Sequence, residues 1–326
     1  MTPAHGTAPR ILITGAGGFI GRHVAAAART VPGARLTQMQ HQSSLSTAHS
    51  GAAHVRADLT DPATLDGICD GIDIVLHCAA RIAGPAEAVE AVNEHGTRAL
   101  VEAAQRHGVR RLVQVSTASV YGRGTFRDAG PESLAVAPGS PASRSRAAAE
   151  RIVLDAGGTV LRPHLVFGTG DRWVVPGLAR LHGRLAASVD GWRARMSVVD
   201  VSDLARVAVA AATAPAGLPG AWHANHPVPV TGAELFDALV RTVGLPPAAE
   251  DIPAAEARRR LAEEPVLLHH LAMLSTDHWF ASDRLWRESG CPEGTGLADS
   301  LARHAPWYRE QLGLTRADGH PSTTSQ

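Results

Sequence analysis

Glycine recurs at every third position of the segment GAGGFIG, at Gly15, Gly18 and Gly21. The segment follows the apolar run ILIT and opens an alanine-rich stretch that is typical of a helix. Glycines in this context let the backbone come close to a pyrophosphate, which then binds at the positive end of the helix. The spacing and its surroundings therefore predict a dinucleotide-binding loop, in which the neighbouring Phe19 and Ile20 also take part.

Two later segments support the same interpretation. ADLTD follows the third predicted strand and HCAA follows the fourth. The carboxyl ends of parallel strands meet at one edge of a sheet, where dinucleotides bind. We expect five residues of these segments to line the cofactor site: Asp58, Leu59, Cys78, Ala79 and Ala80.

The end of the second predicted strand, QMQHQSS, bears on which dinucleotide binds. A free ribose 2′-hydroxyl is held by an acidic side chain at this point, and here Gln40 occupies it with no acid nearby. Arg22, directly after the last loop glycine, could bind a 2′-phosphate through two parallel hydrogen bonds, and His41 could assist. We therefore expect NADPH to be favoured over NADH, although a solvated Arg22 and a Gln40 that tolerates either cofactor also fit the sequence.

Short apolar runs alternate from Arg10 onward with predicted helices, which are GGFIGRHVAAAART, PATLDGIC and EAVEAVNEHGTRALVEAAQRHG. The runs RILIT, RLTQMQ, HVRADL, IDIVLHCA, RLVQVST and TVLRPHLVF are predicted strands. Such alternation predicts an α/β fold, a Rossmann-type doubly wound parallel sheet, and the looser pattern after Gly168 indicates a smaller C-terminal substrate-binding lobe. We assign residues 10–168, with a returning segment at about 196–215, to the NAD(P)-binding domain, residues 169–195 and 216–315 to the lobe, and residues 1–9 and 316–326 to disordered ends.

Composition excludes several classes of function. The 326 residues carry 31 basic and 31 acidic side chains, which argues against a nucleic-acid or acidic-membrane surface. No run approaches the roughly 18 apolar residues of a membrane span, and no leader segment opens the chain, so we expect a cytoplasmic protein. Cys69, Cys78 and Cys291 are scattered and suit neither a disulfide framework nor a zinc site, and no metal is expected.

A larger set of segments carries a family resemblance. ITGAGGFIG, ADLTD, HCAA, VNEHGTRALVEAAQRHGVRRLVQVSTASVYG, LRPHLVFG and VVDVSDLA follow one another over roughly residues 10–215. In this order and spacing the chain resembles the extended short-chain dehydrogenases/reductases of the NAD-dependent epimerase/dehydratase type. The resemblance implies that Thr117 donates a hydrogen bond to the reacting carbonyl, with Ser116 or Ser119 as alternatives, and that Pro163 contacts the cofactor. A purely capping role for these hydroxyls remains open.

The segment SPASRSR departs from the family's pattern. Where the family has S-P-Y-G-x-S-K-x-x-A-E, this chain reads S-P-A-S-R-S-R-A-A-A-E, so Ala142 replaces the acid tyrosine and Arg146 replaces the lysine. No lysine occurs anywhere, and the two tyrosines are Tyr121 and Tyr308. Arg146 can hold the nicotinamide ribose and keep a positive charge near the carbonyl. It cannot give up a proton, because the pKa of its guanidinium lies above about 12.

Three sources remain for the missing proton. Water could protonate the alkoxide directly while Thr117 polarises the oxygen. His164, at the end of the sixth predicted strand, could substitute, although a packing role is equally compatible with its position. The substrate could also carry its own acid, since a phenol beside the ketone has a pKa near the ~10 of tyrosine and a high effective concentration. We favour the third source.

Within this family the chain resembles the atypical ketoreductases of angucycline-type (simocyclinone-type) antibiotic pathways. The resemblance implies a ketoreductase of antibiotic biosynthesis that acts on a polycyclic aromatic ketone. The alternatives are an inactive NADP-binding sensor or scaffold, and a sugar-nucleotide ketoreductase or epimerase. We expect a monomer or homodimer without nucleic-acid or membrane partners. The residues expected to contact the substrate are Ser116, Ser119, Tyr121, His164 and Leu165.

Overall fold

The computed structural model of the chain describes residues 8–41 and 51–314, so the expected disorder at residues 316–326 and 1–7 lies outside the described residues. Its strands are β1 (Arg10–Thr14), β2 (Arg35–Gln40), β3 (Ala53–Arg56), β4 (Ile74–His77), β5 (Arg111–Val115), β6 (Phe126–Ala129), β7 (Thr159–Arg162), β8 (Leu165–Phe167), β9 (Ala187–Val189), β10 (Arg195–Met196), β11 (Val198–Asp200), β12 (Gly220–His223), β13 (Val230–Thr231), β14 (Glu250–Ile252) and β15 (His278–Phe280). Its helices are α1 (Phe19–Ala28), α2 (Ala86–Glu90), α3 (Gly96–Arg106), α4 (Pro141–Asp155), α5 (Val174–Leu185), α6 (Val201–Thr213), α7 (Gly232–Ala238), α8 (Ala254–Arg260), α9 (Pro265–Leu274), α10 (Asp283–Ser289) and α11 (Leu297–Gln311).

A seven-stranded sheet in the order β12-β7-β5-β4-β1-β2-β3 carries the fold. Its neighbouring strands are parallel; for example, Ile11 of β1 lies between Leu36 of β2 and Ile74 of β4. The central residues of β1 are fully buried, as expected of a parallel sheet that is covered on both faces. The prediction of a Rossmann-type α/β fold is confirmed.

Alternate residues of the strands feed two separate cores. Ile11 and Ile13 pack with α1 and α6 on one face of the sheet, whereas Leu12 packs with α3 on the other. This alternation follows from the period of two along a strand. Helices on both faces thus leave the carboxyl edge of the strands as the place for a ligand.

Three predicted elements differ in detail. The run TVLRPHLVF forms two strands, β7 and β8, because Pro163 has no N–H for the ladder of β7. PATLDGIC forms only a short 3₁₀ turn at Pro62–Leu65. The long helix predicted over residues 87–108 contains a π-helical turn at Ala91–His95 between α2 and α3. Such turns are rare and often occur at functional sites.

The described residues divide into two compact units, with boundaries that differ from the predicted ones. The first unit comprises residues 8–41, 51–170, 194–230 and 276–294. Residues 216–230 belong to it because β12 pairs with β7 and extends the large sheet. Residues 276–294 belong to it because β15 pairs with β6 and β10. Within the part of the chain that the structure describes, no helix is long and apolar enough to cross a bilayer.

The second unit comprises residues 171–193, 231–275 and 295–314. Asp171 begins it and accepts hydrogen bonds from the backbone N–H groups of Trp173, Val174 and Val175 and from the hydroxyl of Tyr308. Trp192 is buried and lies 5.3 Å from the ring of Phe236. Trp192 is therefore a core residue of this unit.

A buried polar network ties α4 to the sheet in the first unit. The guanidinium of Arg162, at the end of β7, donates to Oε2 of Glu150 at 2.6 and 3.0 Å and to the hydroxyl of Tyr121 at 2.8 Å. The Tyr121 hydroxyl also lies 2.7 Å from Nε2 of His223 on β12. Tyr121 is only 2% exposed. The structure thus gives Tyr121 a supporting role in the scaffold and leaves it no surface for the substrate contact expected of it.

Replacing Tyr121 with Phe removes the shared hydroxyl and leaves the Arg162 Nη1 donor and the His223 Nε2 acceptor, both buried, without this partner. We expect Tyr121→Phe to lower the free energy of unfolding by about 1–3 kcal/mol, measured by urea denaturation at unchanged m-value. Tyr308→Phe is the matched control and should lose less, because Asp171 keeps its three backbone donors. Wild-type stability in Tyr121→Phe would contradict this account.

Candidate cofactor-binding and active site

The glycine loop is built for a close approach of backbone to ligand. Gly15 has a φ of +67°, and a Cβ at that position would lie 2.6 Å from the backbone nitrogen of Ala79. A Cβ on Gly21 would collide with the carbonyl oxygen of Gly15. No side chain caps the first turn of α1 at Gly18, and this turn carries no acidic residue. Its N–H groups are therefore available to a pyrophosphate, and the residues present fit a dinucleotide.

A cleft of about 560 Å³ opens beside this loop. Eight of the residues predicted to contact the cofactor line it: Gly15, Gly18, His41, Asp58, Leu59, Cys78, Ala79 and Ala80. The prediction did not include six further lining residues: Gly17, Met39, Gln40, Thr60, Arg81 and Val92. Most of the missed residues are sequence neighbours of predicted ones. Only the folding of the loops places them on the lining of the cleft.

The remaining predicted cofactor residues lie outside the lining of this cleft. Phe19 and Ile20 pack against the core under α1, and Gly21 is buried beneath Gly15. Arg22 donates from Nε to the carbonyl oxygen of Gly18 at 3.2 Å. Pro163 accepts from the backbone N–H of Ala118. In this arrangement these residues shape the loop and the strand ends.

At the adenosine end of the cleft, Asp58 is held by three hydrogen bonds. Its Oδ1 accepts from the N–H and hydroxyl of Thr60 at 2.8 Å each, and Oδ2 lies 2.7 Å from Nε2 of His41. The backbone N–H of Thr60 is the main cause of a pKa of Asp58 below its ordinary range. Asp58 is therefore an anion at neutral pH, and it fixes the His41 ring.

A chain of hydrogen bonds runs beneath the cleft from β1 to the π-helical turn. The backbone N–H of Ala79 donates to Thr14 Oγ1, which lies 2.7 Å from Nδ1 of His77. Nε2 of His77 lies 2.9 Å from Thr97 Oγ1, and this hydroxyl donates to the carbonyl oxygen of Asn93. Because the Thr97 hydroxyl donates to Asn93, it can only accept from His77. The neutral His77 therefore carries its proton on Nε2. Burial, with the charge of Arg146 assisting, lowers the pKa of His77 to about 4.

Asn93 is a site residue that sequence reasoning did not single out. Its side chain accepts from the N–H of Arg81 at 2.7 Å and donates to the carbonyl oxygen of Arg81 at 2.8 Å and to Ser145 Oγ at 2.9 Å. It thereby joins the loop after β4 to helix α4, one residue before Arg146. The segment VNEHG contained the signal, because a buried amide in the middle of a helix needs several partners.

Arg146 reaches from α4 to the end of β5. The helix begins at a capping box formed by Ser140 and Ser143, and the Arg146 Nη2 donates to the carbonyl oxygen of Val115 at 2.7 Å. Its Nε is buried without a partner among the described residues. Burial lowers the pKa of this guanidinium, but arginine still keeps its proton. The structure thus holds a fixed positive charge where β4 and β5 end.

Of the three hydroxyls after β5, those of Thr117 and Ser119 are hydrogen-bonded to each other, whereas the Ser116 Oγ is buried without a partner among the described residues. Thr117 Oγ1 donates to Ser119 Oγ at 3.1 Å and accepts from the N–H of Ser119, which caps the 3₁₀ turn Ala118–Tyr121. Ser119 is exposed, whereas Ser116 is buried. Because the Thr117 hydroxyl donates its hydrogen bond to Ser119, the hydroxyl proton of Ser119 is not used in this pair and can point outward. Thr117 thus has the capping role that the sequence leaves open for these hydroxyls.

The two tyrosines do not substitute for the missing phenol, since both hydroxyls are buried and engaged elsewhere. His164 stacks on His278 at 4.7 Å, and its Nε2 is buried. Burial lowers the pKa of His164 to about 3 and raises that of Cys78 to about 12. The neighbouring Leu165 is buried in β8, which leaves it a packing residue. Around the strand ends, these groups therefore keep one protonation state at neutral pH.

The neutral His77 makes stability depend on pH. Above the ordinary pKa of 6.5 the ring is neutral in both folded and unfolded chains, so its stabilisation is fully present. As the pH falls from 6.5 towards 4, His77 binds a proton in the unfolded chain but stays neutral in the folded protein, so the unfolded state is favoured. We expect the wild-type free energy of unfolding to fall over this window by about 3 kcal/mol more than that of His77→Gln. Parallel pH profiles of the two proteins in urea denaturation would contradict the assignment.

The sequence is similar to a known protein family and to two reductases. The model of the NAD dependent epimerase/dehydratase family matches residues 11–224. A 2-alkyl-3-oxoalkanoate reductase of Stenotrophomonas maltophilia is 30% identical over 330 residues, covering 90% of this chain and 98% of that protein. One from Shewanella oneidensis is 28% identical, covering 89% and 84%.

Solved structures show the same fold at lower identity. The Bordetella bronchiseptica enzyme WbmH in complex with NAD⁺ is similar with a TM-score of 0.75 and 24% identity, covering 93% of this chain and 99% of that chain. UDP-glucuronic acid 4-epimerase from Bacillus cereus, in complex with NAD, is similar with a TM-score of 0.71 and 19% identity, covering 92% and 99%. The chain thus belongs to the NAD-dependent epimerase/dehydratase family of extended short-chain dehydrogenases/reductases, and it is an oxidoreductase that uses a nicotinamide dinucleotide.

Proposed function

We propose that the protein is an NADPH-dependent ketoreductase of secondary-metabolite biosynthesis that reduces a ketone on a polycyclic aromatic, angucycline-like polyketide. The proton comes from a phenol of the substrate itself. One observation carries the proposal: a cleft that fits a dinucleotide adjoins the strand ends, and helix α4, whose Arg146 reaches the end of β5, carries Ala142 in place of the acid tyrosine. The ionisable groups described there, His77, Cys78 and His164, keep one protonation state at neutral pH.

The bound cofactor supplies the hydride. Arg146 supplies the charge: its guanidinium is fixed to the Val115 carbonyl, and its remaining N–H groups can hold the ribose hydroxyls. A fixed positive charge also stabilises the negative oxygen that develops on the ketone. Arg146 therefore takes over the electrostatic part of the family's lysine but not its part in proton transfer.

Ser119 polarises the carbonyl, and Thr117 supports it. The hydrogen bond from Thr117 leaves the Ser119 proton available, and hydrogen bonds in series strengthen one another. A serine hydroxyl in this position donates a hydrogen bond but does not release its proton at neutral pH. The reaction consequently needs a separate acid.

The loops at the carboxyl edge favour an apolar substrate. Ile82, after β4, is 51% exposed, and Val228, after β12, is 60% exposed. Val136 is 46% exposed, and its neighbour Ala137 is bonded to the turn after β5. Large apolar side chains exposed in loops at the edge where ligands bind suit an aromatic polyketide better than a sugar diphosphate.

A 2-alkyl-3-oxoalkanoate is the second candidate substrate, because reductases of that name are similar to this chain over nearly its whole length. Its carboxyl group is ionised at neutral pH, since ordinary carboxyl pKa values lie near ~4. A phenol with a pKa near ~10 keeps its proton. Because the protein brings no acid of its own, the phenolic ketone is favoured.

A labelling experiment tests the function. NADPH carrying stereospecific deuterium is incubated with a peri-hydroxylated aromatic ketone, a 2-alkyl-3-oxoalkanoate and a 4-keto sugar nucleotide. We expect deuterium at the carbinol carbon of the aromatic product and slower or no labelling of the other two. Preferential labelling of either other product would replace the proposed substrate. The absence of label in all three products would favour an inactive NADP-binding sensor or scaffold.

A methylated substrate tests the proton source. We expect methylation of the phenol beside the ketone to lower kcat by about 10²–10⁴-fold, the usual contribution of a general acid. The double variant Ala142→Tyr/Arg146→Lys should recover part of the rate with the methyl ether and change little with the free phenol. Ser119→Ala is the control and should slow both substrates by the same factor. Equal rates for phenol and methyl ether in the wild-type protein would show that water is the donor.

A further inference from the structure

A second cavity adjoins the adenosine end of the cofactor cleft. Its volume is about 350 Å³, and His41, Arg56, Ala57, Asp58 and Thr64 line it. It shares His41 and Asp58 with the cleft. A group attached to the adenosine ribose would therefore meet this cavity at the border of the two spaces.

Arg56 gives the cavity a positive charge. It is the last residue of β3 and pairs in register with Gln40, the last residue of β2, so the two side chains leave the sheet on the same face. Arg56 is exposed, and no hydrogen bond or ion pair engages its guanidinium within residues 8–41 and 51–314. Gln40 is already bonded to His54 at 2.8 Å. The position of the usual ribose-binding acid is thus neutral, with an unengaged cation beside it.

His41 is the second basic group of the cavity. Its Nε2 is bonded to Asp58, whose other oxygen is held by Thr60. Asp58 thereby fixes the ring, and an imidazole that carries both protons can donate from Nδ1 as well as from Nε2. The carboxylate is therefore shielded by His41, and the ring can face an anion.

Arg22, the arginine that sequence reasoning put forward for this task, faces elsewhere. Its guanidinium donates to the carbonyl oxygens of Gly18 and Gly17 at 3.2 and 3.5 Å. Gly170 lies beside it, and a Cβ added at Gly170 would lie 3.5 Å from the Arg22 guanidinium. Arg22 is thus engaged with the glycine loop.

We propose that Arg56 and His41 form an anion subsite for the 2′-phosphate of the adenosine ribose and so determine the preference for NADPH. Arg56 binds the phosphate directly, His41 bridges it to Asp58, and Asp58 acts as a positioning residue for His41. The inference deepens the proposed function, on whose nicotinamide cofactor it rests. It also assigns a specificity role to a residue of β3 that no sequence pattern marked.

Adenosine fragments test the subsite without any reduction step. Isothermal titration calorimetry compares adenosine 2′,5′-bisphosphate with 5′-AMP on the full chain. Charge-assisted hydrogen bonds to the second phosphate should make the bisphosphate bind about 10–100-fold more tightly. Arg56→Gln should remove most of this ratio and leave the Kd of 5′-AMP unchanged, which also reports that the variant is folded. His41→Gln, which keeps a hydrogen bond to Asp58 without a charge, should remove a smaller part.

Arg22→Gln is the matched control and should leave the ratio of the two affinities at its wild-type value. A fall of the ratio in Arg22→Gln but not in Arg56→Gln would place the phosphate at the glycine loop and overturn the proposal. Equal binding of the two fragments by the wild-type chain would also overturn it. Because neither fragment contains nicotinamide or ketone, these results are independent of the labelling experiment, whose failure would affect the proposed reaction alone.

Discussion

The buried imidazole of His77 joins the two halves of the site. It bonds to Thr14, directly before the glycine loop, and to Thr97, directly after the π-helical turn. Through Thr97 and Asn93 the chain of hydrogen bonds continues to the loop after β4 and to α4. Each member is buried, where an unpaired polar group costs about 1–3 kcal/mol. The backbone of the cofactor loop and the helix that carries Arg146 are therefore held in one fixed relation, although they are distant in sequence.

This fixed frame explains how the family's reaction can persist without the tyrosine and the lysine that Ala142 and Arg146 replace. Arg146 retains the positive charge and anchors it on Val115, and in the proposed reaction Ser119, supported by Thr117, donates the hydrogen bond to the carbonyl. The proton is the one component that no described residue of the site can exchange near neutral pH. The proposed reaction therefore requires a ketone with a neighbouring acidic hydroxyl.

The fold by itself is a poor guide to the substrate. A protein solved in complex with UDP-glucose shares it with this chain at 24% identity and a UDP-glucuronic acid 4-epimerase at 19%, and function resides in the site that a fold carries. What separates the candidates are side chains at the carboxyl edge. The exposed Ile82 and Val228 support the proposed apolar ligand. Arg56, which no described residue engages, supports the proposed phosphate on the adenosine ribose.

The sequence by itself determined the parallel sheet, the glycine loop, the segments ADLTD and HCAA, and the absence of tyrosine and lysine from the helix SPASRSR. These are local patterns of apolar period, glycine spacing and residue identity, and they do not depend on distant contacts. Tertiary structure alone decided which polar side chains have hydrogen-bond partners within the protein and which remain available to a ligand. Three residues were expected at the substrate. Tyr121 is instead bonded to Arg162, His164 stacks on His278, and Leu165 is buried in β8. Arg22 is engaged by the loop, whereas Asn93 and Arg56 gain their positions from strand register and a π-helical turn. Hydrogen-bond partners far apart in the chain are set by packing, which no single segment specifies.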